Sequence, residues 1–213
     1  MAFGVTSHRI EQTELFATSA RDPEGFVYRA NFISLEQERA LVQAIERLAF
    51  SEVKMHGVTA RRRTVHFGRT YDFETFKLSP AEEIPGFLDV VRERASGLTD
   101  WAAPDIEEAL VTEYQPGAGI GWHRDAPQFG VIVGISLLGE CPMQFRPWPH
   151  VEGRRQVAKP IAHRLAPRSV YVLSGAAREK WQHRILSTKT LRYSITFRSL
   201  RRSDHVRAAN VTY

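Results

Sequence analysis

Hydrophobic residues recur at helical spacing in two segments of the first half of the chain. The first, "NFISLEQERALVQAIERLAF" (31–50), opens with Ser34 and Gln37 at the spacing of a capping box, and its apolar residues repeat every three or four positions. The second, "EEIPGFLDVVRERAS" (82–96), repeats in the same way and has Pro85 in its first turn. Both patterns predict amphipathic helices.

After Ala103 the period changes to that of β-strands. Short apolar or alternating runs, separated by Gly, Pro and charged residues, are "EALVTEY", "VIVGISLLG", "PMQFRP", "SVYVLSG" and "LRYSITFRSL". Two helices followed by many short strands predict an α+β fold whose β part is a sandwich or barrel. Between the helices, "RRRTVHFGRTYDFETF" (61–76) predicts a hairpin or loop packed over that β core.

Composition limits the class of protein. With 213 residues, 43% of them hydrophobic and 25% charged, the chain fits one globular domain. The first twenty residues lack the apolar core of a signal peptide, and no stretch approaches the roughly 20 apolar residues of a membrane helix. We therefore expect a cytoplasmic protein with no membrane partner. Cys141 is the single cysteine, which excludes an intramolecular disulfide and a zinc cluster built from cysteines.

The net charge of +5 comes from arginine clusters and suits a polyanionic partner, although acidic residues are mixed throughout. The first candidate for a chemical site is the segment "GIGWHRDAPQFG". At strand spacing, His123 and Asp125 share one face, and a third ligand completes a metal site. His183 in "EKWQHRI" is the best placed, with His150, His163 and His205 as spare candidates. Two histidines and one carboxylate form the facial triad of non-haem iron oxygenases, but three ligands plus water also describe a catalytic zinc site.

The run "LRYSITFRSL" carries a second signal. In a strand, Arg192, Ser194, Thr196 and Arg198 fall on one face and apolar residues on the other. A buried arginine needs an anionic partner, and its planar fork suits a carboxylate, so a dicarboxylate co-substrate fits this face. The two arginines lie about 20 Å apart along an ideal strand, so both reach one small acid only by leaning together.

Taken in order, "EYQPGAGIGWHRD", "WQH" and "RYSITFR" resemble the AlkB family of Fe(II)/2-oxoglutarate dioxygenases, over residues 110–200 and more weakly back to Arg62. The resemblance implies a double-stranded β-helix (jelly roll) with N-terminal helices on one side and a nucleotide-recognition lid. It divides a single domain into a tail (1–25), helical support and lid (26–103), a catalytic core (104–200) and a second tail (201–213). It also implies that His123, Asp125 and His183 bind Fe(II), that O2 is a co-substrate, and that 2-oxoglutarate is held by Tyr114, Arg192, Ser194 and Arg198.

The implied activity is oxidative dealkylation of N-alkylated bases in DNA, or in RNA, releasing an aldehyde, succinate and CO2. A base must leave its stack to reach a buried metal, which calls for an aromatic clamp and basic contacts. The candidate substrate-binding residues are Arg62, His66, Phe67, Tyr71, Trp122 and Trp181. Two alternatives stay open, namely the same chemistry on a protein side chain and a catalytically silent nucleic-acid-binding module. A monomer is expected.

The sequence departs from the family pattern at three places. Thr112 and Ser194 stand where many repair members have asparagines, and both keep a hydrogen-bonding group. Pro127 stands where some repair enzymes have an acidic residue that discriminates between bases. The base preference therefore stays open at this point.

Overall fold

The computed structural model describes residues 22–55, 58–72, 75–149 and 159–201. The two predicted tails, 1–25 and 201–213, lie outside these residues except for 22–25 and 201, and so do His150 and His205. None of the helices in the described ranges combines the length and hydrophobicity needed to cross a bilayer.

Thirteen strands and three α-helices occur in the described part of the chain. The strands are β1 (Phe26–Arg29), β2 (Ser51–Met55), β3 (Val58–Phe67), β4 (Arg69–Asp72), β5 (Lys77–Pro80), β6 (Ile106–Tyr114), β7 (Ile120–His123), β8 (Phe129–Leu138), β9 (Cys141–Pro147), β10 (Ile161–Leu165), β11 (Val170–Leu173), β12 (Trp181–Ile185) and β13 (Arg192–Leu200). The helices are α1 (Leu35–Ile45), α2 (Asp89–Ser96) and α3 (Gly175–Glu179), with short 3-10 turns at Gly86–Leu88 and Ala103–Asp105.

Both predicted helices are present. In α1 the Ser34 side chain accepts from the Gln37 backbone N–H and the Gln37 side chain accepts from the Ser34 N–H, so the predicted capping box is confirmed. The second helix begins later than its pattern suggested, because Pro85 precedes a 3-10 turn and α-helical geometry starts only at Asp89. The apolar faces of both helices pack on one side of the large sheet, together with Val111, Ile135, Ile195 and neighbouring residues.

The strands form two main antiparallel sheets. The large sheet has the order β1-β11-β8-β13-β6-β3-β2, and the small sheet has the order β10-β9-β12-β7. A second apolar cluster joins residues of both sheets, including Phe129 and Leu173 from the large sheet and Met143 and Phe145 from the small one. The site residues lie on the strands that border this layer between the sheets.

The segment 61–76 differs from the expected hairpin or loop. Its first part, β3, is a full member of the large sheet, where Arg62 lies opposite Tyr114 and Val65 opposite Val111. Its second part, β4, pairs with β5 as a separate two-stranded ribbon. Composition alone does not predict that this arginine-rich segment is a strand, because the segment is buried by pairing with β6, which lies far along the chain.

Close packing inside the large sheet fixes one glycine. A Cβ atom at Gly134 in β8 would lie 2.2 Å from the ring of Tyr171 in β11. Only glycine leaves room for this buried ring.

Candidate metal and co-substrate site

The two histidines of the predicted triad lie side by side in the small sheet. His123 ends β7 and is directly opposite His183 in β12, and their ring centroids are 4.3 Å apart. Asp125 lies in the loop beyond β7 rather than in the strand, and its Oδ2 is 3.6 Å from His183 Nε2. One ligand atom from each of the three residues lies within 4.8 Å of the others. This set matches the facial triad in composition and spacing.

The ligand atoms are free to bind a metal. His123 Nδ1 is 2.9 Å from the Gly121 carbonyl oxygen, which only accepts, so Nδ1 carries the proton and Nε2 keeps its lone pair. Asp125 Oδ2 is buried without a hydrogen-bond partner among the described residues. A buried carboxylate oxygen without a partner is rare, and a cation beside it satisfies the oxygen. The three residues therefore fit a divalent metal.

The electrostatics favour the metal-binding forms of the ligands. Burial lowers the pKa of His123, and burial beside a second imidazole lowers the pKa of His183 to about 3. Burial alone raises the pKa of Asp125, but the Arg198 guanidinium and the two imidazoles outweigh it, and the pKa lies well below its usual range. Neutral imidazoles and an ionised carboxylate are the forms that coordinate metals.

Arg198 holds Asp125 of the candidate triad rather than standing free for a co-substrate. Its Nη2 donates to Asp125 Oδ1 at 2.7 Å, and its Nη1 donates to Glu108 Oε2 at 2.9 Å. The other oxygen of Glu108 is 3.0 Å from His66 Nδ1. We call His66, Glu108, Arg198 and Asp125 the Arg198 network. Both of its carboxylates raise the pKa of Arg198 against the effect of burial.

Sequence reasoning missed Glu108. Its side chain is fully buried within β6. The signal was its position in β6 directly opposite Arg198 in β13, but this register is visible only in the folded sheet.

Arg192 is a buried cation of the site. It is 1% exposed, its Nε donates to Ser136 Oγ at 2.9 Å, and its guanidinium lies 4.8 Å from the centroid of the Tyr114 ring. Its Nη1 has no hydrogen-bond partner among the described residues. A desolvated guanidinium of this kind fits a carboxylate. Ser194, on the same strand as Arg192, lies opposite Thr112 in β6 and Ser136 in β8. Ser136 is a further residue that the sequence did not single out.

A cavity of about 450 Å³ opens over His123 and Asp125 of the triad. Its described lining includes His123, Asp125 and Arg198 together with three candidate substrate-binding residues, Arg62, His66 and Tyr71. Burial lowers the pKa of Arg62 at this wall. Tyr114, Arg192 and Ser194 are buried and lie outside this lining.

Three other candidates do not face this cavity. Phe67 follows His66 in β3 and therefore points to the opposite side of the sheet, into the core under the helices. Trp122 precedes His123 in β7 and likewise points away from the site, where its ring lies close to two arginines. Trp181 packs against the apolar cluster between the sheets. The predicted aromatic clamp is thus reduced to Tyr71.

Comparison with known proteins identifies the class. The family model of the 2OG-Fe(II) oxygenase superfamily matches residues 25–198, and the chain therefore belongs to this superfamily. Fe(II), 2-oxoglutarate and O2 are the cofactor and co-substrates of this class, so the chain is a dioxygenase and the catalytically silent alternative is wrong. The names of its relatives support the predicted resemblance to the AlkB family within this superfamily.

Several relatives carry AlkB-type names. An Arabidopsis thaliana protein named alkylated DNA repair protein ALKBH8 homolog is 26% identical over 182 residues, which are 76% of this chain and 50% of that protein. A Xenopus tropicalis protein named tRNA (carboxymethyluridine(34)-5-O)-methyltransferase alkbh8 is 27% identical over 78% of this chain and 26% of its own length. The chain thus spans half or less of both relatives. The uncharacterized protein L905 of Acanthamoeba polyphaga mimivirus is 27% identical over 91% of this chain and 93% of its own length.

The fold agrees with the solved structure of OsALKBH1. The TM-score is 0.62 at 15% identity, over 84% of this chain and 97% of that chain. The predicted jelly-roll fold is confirmed.

Proposed function

We propose that this dioxygenase removes alkyl groups from the nitrogens of nucleic-acid bases. The observation that carries the proposal is the cavity above the triad, whose volume of about 450 Å³ suits one base-sized ligand and whose wall carries Arg62, His66 and Tyr71. A base reaches such a site only by leaving its stack, and basic and aromatic side chains favour that state.

The protein's part in the reaction is to bind and orient. His123, Asp125 and His183 would hold Fe(II). Arg192 would bind the distal carboxylate of 2-oxoglutarate through its free Nη1, with Tyr114 and Ser194 beside it. When bound, the iron supplies the oxidation of 2-oxoglutarate by O2 to succinate and CO2 and the coupled hydroxylation of the alkyl carbon, which then leaves as an aldehyde.

Arg198 has a different role in this proposal from the one expected. Both of its terminal nitrogens are engaged by carboxylates, so it fixes Asp125 in place and compensates its charge. Burial of Asp125 and His183 keeps bulk water away from the metal side of the cavity.

The ribbon of β4 and β5 is our candidate for the nucleotide-recognition lid, because its Tyr71 and Asp72 belong to the cavity wall. DNA stays ahead of RNA as the substrate. Modified tRNA is the second candidate, favoured by the name of the Xenopus relative. A cytoplasmic location and a monomeric state stay predictions.

The test supplies purified protein with Fe(II), 2-oxoglutarate and single-stranded oligonucleotides that carry N1-methyladenine or N3-methylcytosine, as DNA and as RNA. We expect succinate formation together with loss of one methyl mass by mass spectrometry. Asp125→Ala should abolish both and lose iron while it keeps the fold. Succinate formation that is equal with methylated and unmodified oligonucleotides, without any mass loss, would contradict the proposal and favour a protein side chain as substrate.

A further inference from the structure

The face of the small sheet that points away from the large sheet carries arginines and tryptophans. Its central members are Trp122 in β7, Arg146 in β9 and Arg184 in β12, with Arg124 and Trp148 just beyond the strand ends. We call these five residues the outer face. They alternate with His123, Phe145 and His183, which point to the site and the inter-sheet core.

On the outer face, two guanidiniums lie against the ring of one tryptophan. The guanidinium carbon of Arg146 lies 4.6 Å from the centroid of Trp122, and that of Arg184 lies 4.5 Å from it. Arg146 Nε donates to Gln182 Oε1 at 2.7 Å, and Arg184 Nε donates to Gln144 Oε1 at 2.8 Å. Each guanidinium is thus fixed by an aromatic ring and by its Nε, and its two terminal nitrogens remain for a ligand.

The outer face is positive, and its arginines form no salt bridge within the part of the chain that the structure describes. None of Arg124, Arg146 and Arg184 forms a salt bridge with an acidic residue of the described ranges, unlike Arg164 on the neighbouring strand β10, which pairs with Glu140. Cations that are fixed in place and lack acidic partners favour an anionic ligand. Because the guanidiniums are already ordered, little side-chain entropy is lost when that ligand binds.

The outer face also reaches the cavity. The Arg124 guanidinium lies 3.6 Å from the centroid of the exposed Trp148 ring, and Nη1 of Arg124 donates to the Glu179 carbonyl oxygen at 3.1 Å. Arg124 belongs to the cavity wall as well. A strand that delivers one nucleotide to the cavity would therefore meet Arg124 first and the Arg146–Trp122–Arg184 group next.

We propose that the outer face binds the phosphodiester backbone of a single-stranded nucleic acid, with Arg146 and Arg184 as the phosphate contacts. The proposal deepens the proposed function, on which its choice of ligand rests. The planar fork of arginine pairs with two phosphate oxygens at once, and several arginines on one face match a repeating polyanion better than one small anion.

The test measures binding of a fluorescent single-stranded oligonucleotide without iron or 2-oxoglutarate, by anisotropy over a series of salt concentrations. In the double variant Arg146→Gln, Arg184→Gln we expect roughly tenfold weaker binding, and a slope of log K against log salt that falls by about 0.7 for each arginine removed. The matched control is Arg164→Gln on the same side of the sheet. It should bind as the wild type does, because Glu140 already neutralises Arg164.

Thermal denaturation of each variant checks the fold. If the glutamine pair does not fold, Arg146→Lys with Arg184→Lys replaces it, and we expect the salt slope to be kept while affinity falls, because lysine keeps the charge without the fork. The proposal is overturned if the double variant binds with wild-type affinity and slope, or if the wild type does not bind the oligonucleotide. Equal affinity for a poly-glutamate peptide of matched charge would also overturn it, in favour of an acidic protein partner.

Binding without turnover separates the two proposals. If the wild-type chain binds through Arg146 and Arg184 but removes no alkyl group, the proposed function is refuted and the binding role of the outer face is supported. If the wild-type chain dealkylates a methylated base but the Arg146, Arg184 double variants bind the oligonucleotide as the wild type does, the proposed function is supported and the binding role of the outer face is refuted.

Discussion

Replacing Glu108 by glutamine tests the Arg198 network most directly. The change keeps the shape of the side chain but removes the negative charge between Arg198 Nη1, at 2.9 Å, and His66 Nδ1, at 3.0 Å. Glu108 is fully buried and the Arg198 side chain is 14% exposed, so water compensates little of the loss. Removing one partner of a buried pair costs about 3–5 kcal/mol, and the glutamine oxygen still accepts one bond, so we expect about 3 kcal/mol.

In a domain of this size, 3 kcal/mol corresponds to a fall in Tm of about 6–12 °C. The free energy of unfolding is measured by urea denaturation of the metal-free protein, and Tm by circular dichroism. A second consequence concerns the metal, because Arg198 orients Asp125. Loss of such a supporting residue typically weakens metal binding by about 10–100-fold, which a Fe(II) titration measures.

The neighbouring residue supplies the control. Glu107 pairs with Arg69 at 3.1 Å nearer the surface, with side-chain exposures of 16% and 32%. Glu107→Gln should therefore cost about 1 kcal/mol or less and leave the affinity for Fe(II) unchanged. If the two variants unfold within about 0.5 kcal/mol of each other, Glu108 does not stabilise the site as argued.

Three further predictions concern other parts of the molecule. Arg192→Met should weaken 2-oxoglutarate binding by at least tenfold in calorimetry while Fe(II) still binds, because the terminal Nη1 of the buried Arg192 has no hydrogen-bond partner among the described residues; unchanged binding of the keto acid would remove it from that role. Gly134→Ala should destabilise the fold by about 1–3 kcal/mol, since its Cβ would meet a tyrosine ring at 2.2 Å, whereas Gly121→Ala, with nothing within 4 Å, should be close to neutral in urea denaturation. The pKa of Glu113 lies below its ordinary value. Burial alone would raise this pKa, but the hydrogen bonds from Arg63 and Gln115 outweigh the effect of burial. The stability that this pair contributes is therefore present above the ordinary pKa of 4.5 and lost as the pH falls through the lower folded value. Arg63→Gln should cost about 1 kcal/mol at neutral pH and nothing in acid, and a cost independent of pH would refute the assignment.

Local patterns predicted α1, α2 and the strands β6, β8, β9, β11 and β13, because their signals are short in range. The capping box of Ser34 and Gln37 needs only four residues. Strand β3 was missed because its polar side faces a cavity and its apolar side faces the helices, and both surroundings come from segments distant in the chain. The loop position of Asp125 was also beyond the period-two argument, since β7 ends at His123.

The candidate site likewise has a part that the sequence predicted and a part that it did not. The triad and Arg192 follow from residue types and their order, because each kind of chemistry permits few side chains. The partner of Arg198 does not follow, since Glu108 lies 90 residues away and meets it only through the register of β6 against β13. The face on which Trp122 and Phe67 lie became clear only when the strand direction fixed the alternation of each side chain.

Strand β13 comes last among the described strands, yet it occupies the middle of the large sheet, between β8 and β6. Until it inserts, these two neighbours have open edges that can pair with other chains. The insertion of this one segment closes both edges, and it also delivers Arg192 and Arg198. Folding intermediates that lack β13 should therefore both aggregate and be inactive. The late insertion of β13 should restore solubility and co-substrate binding in the same step.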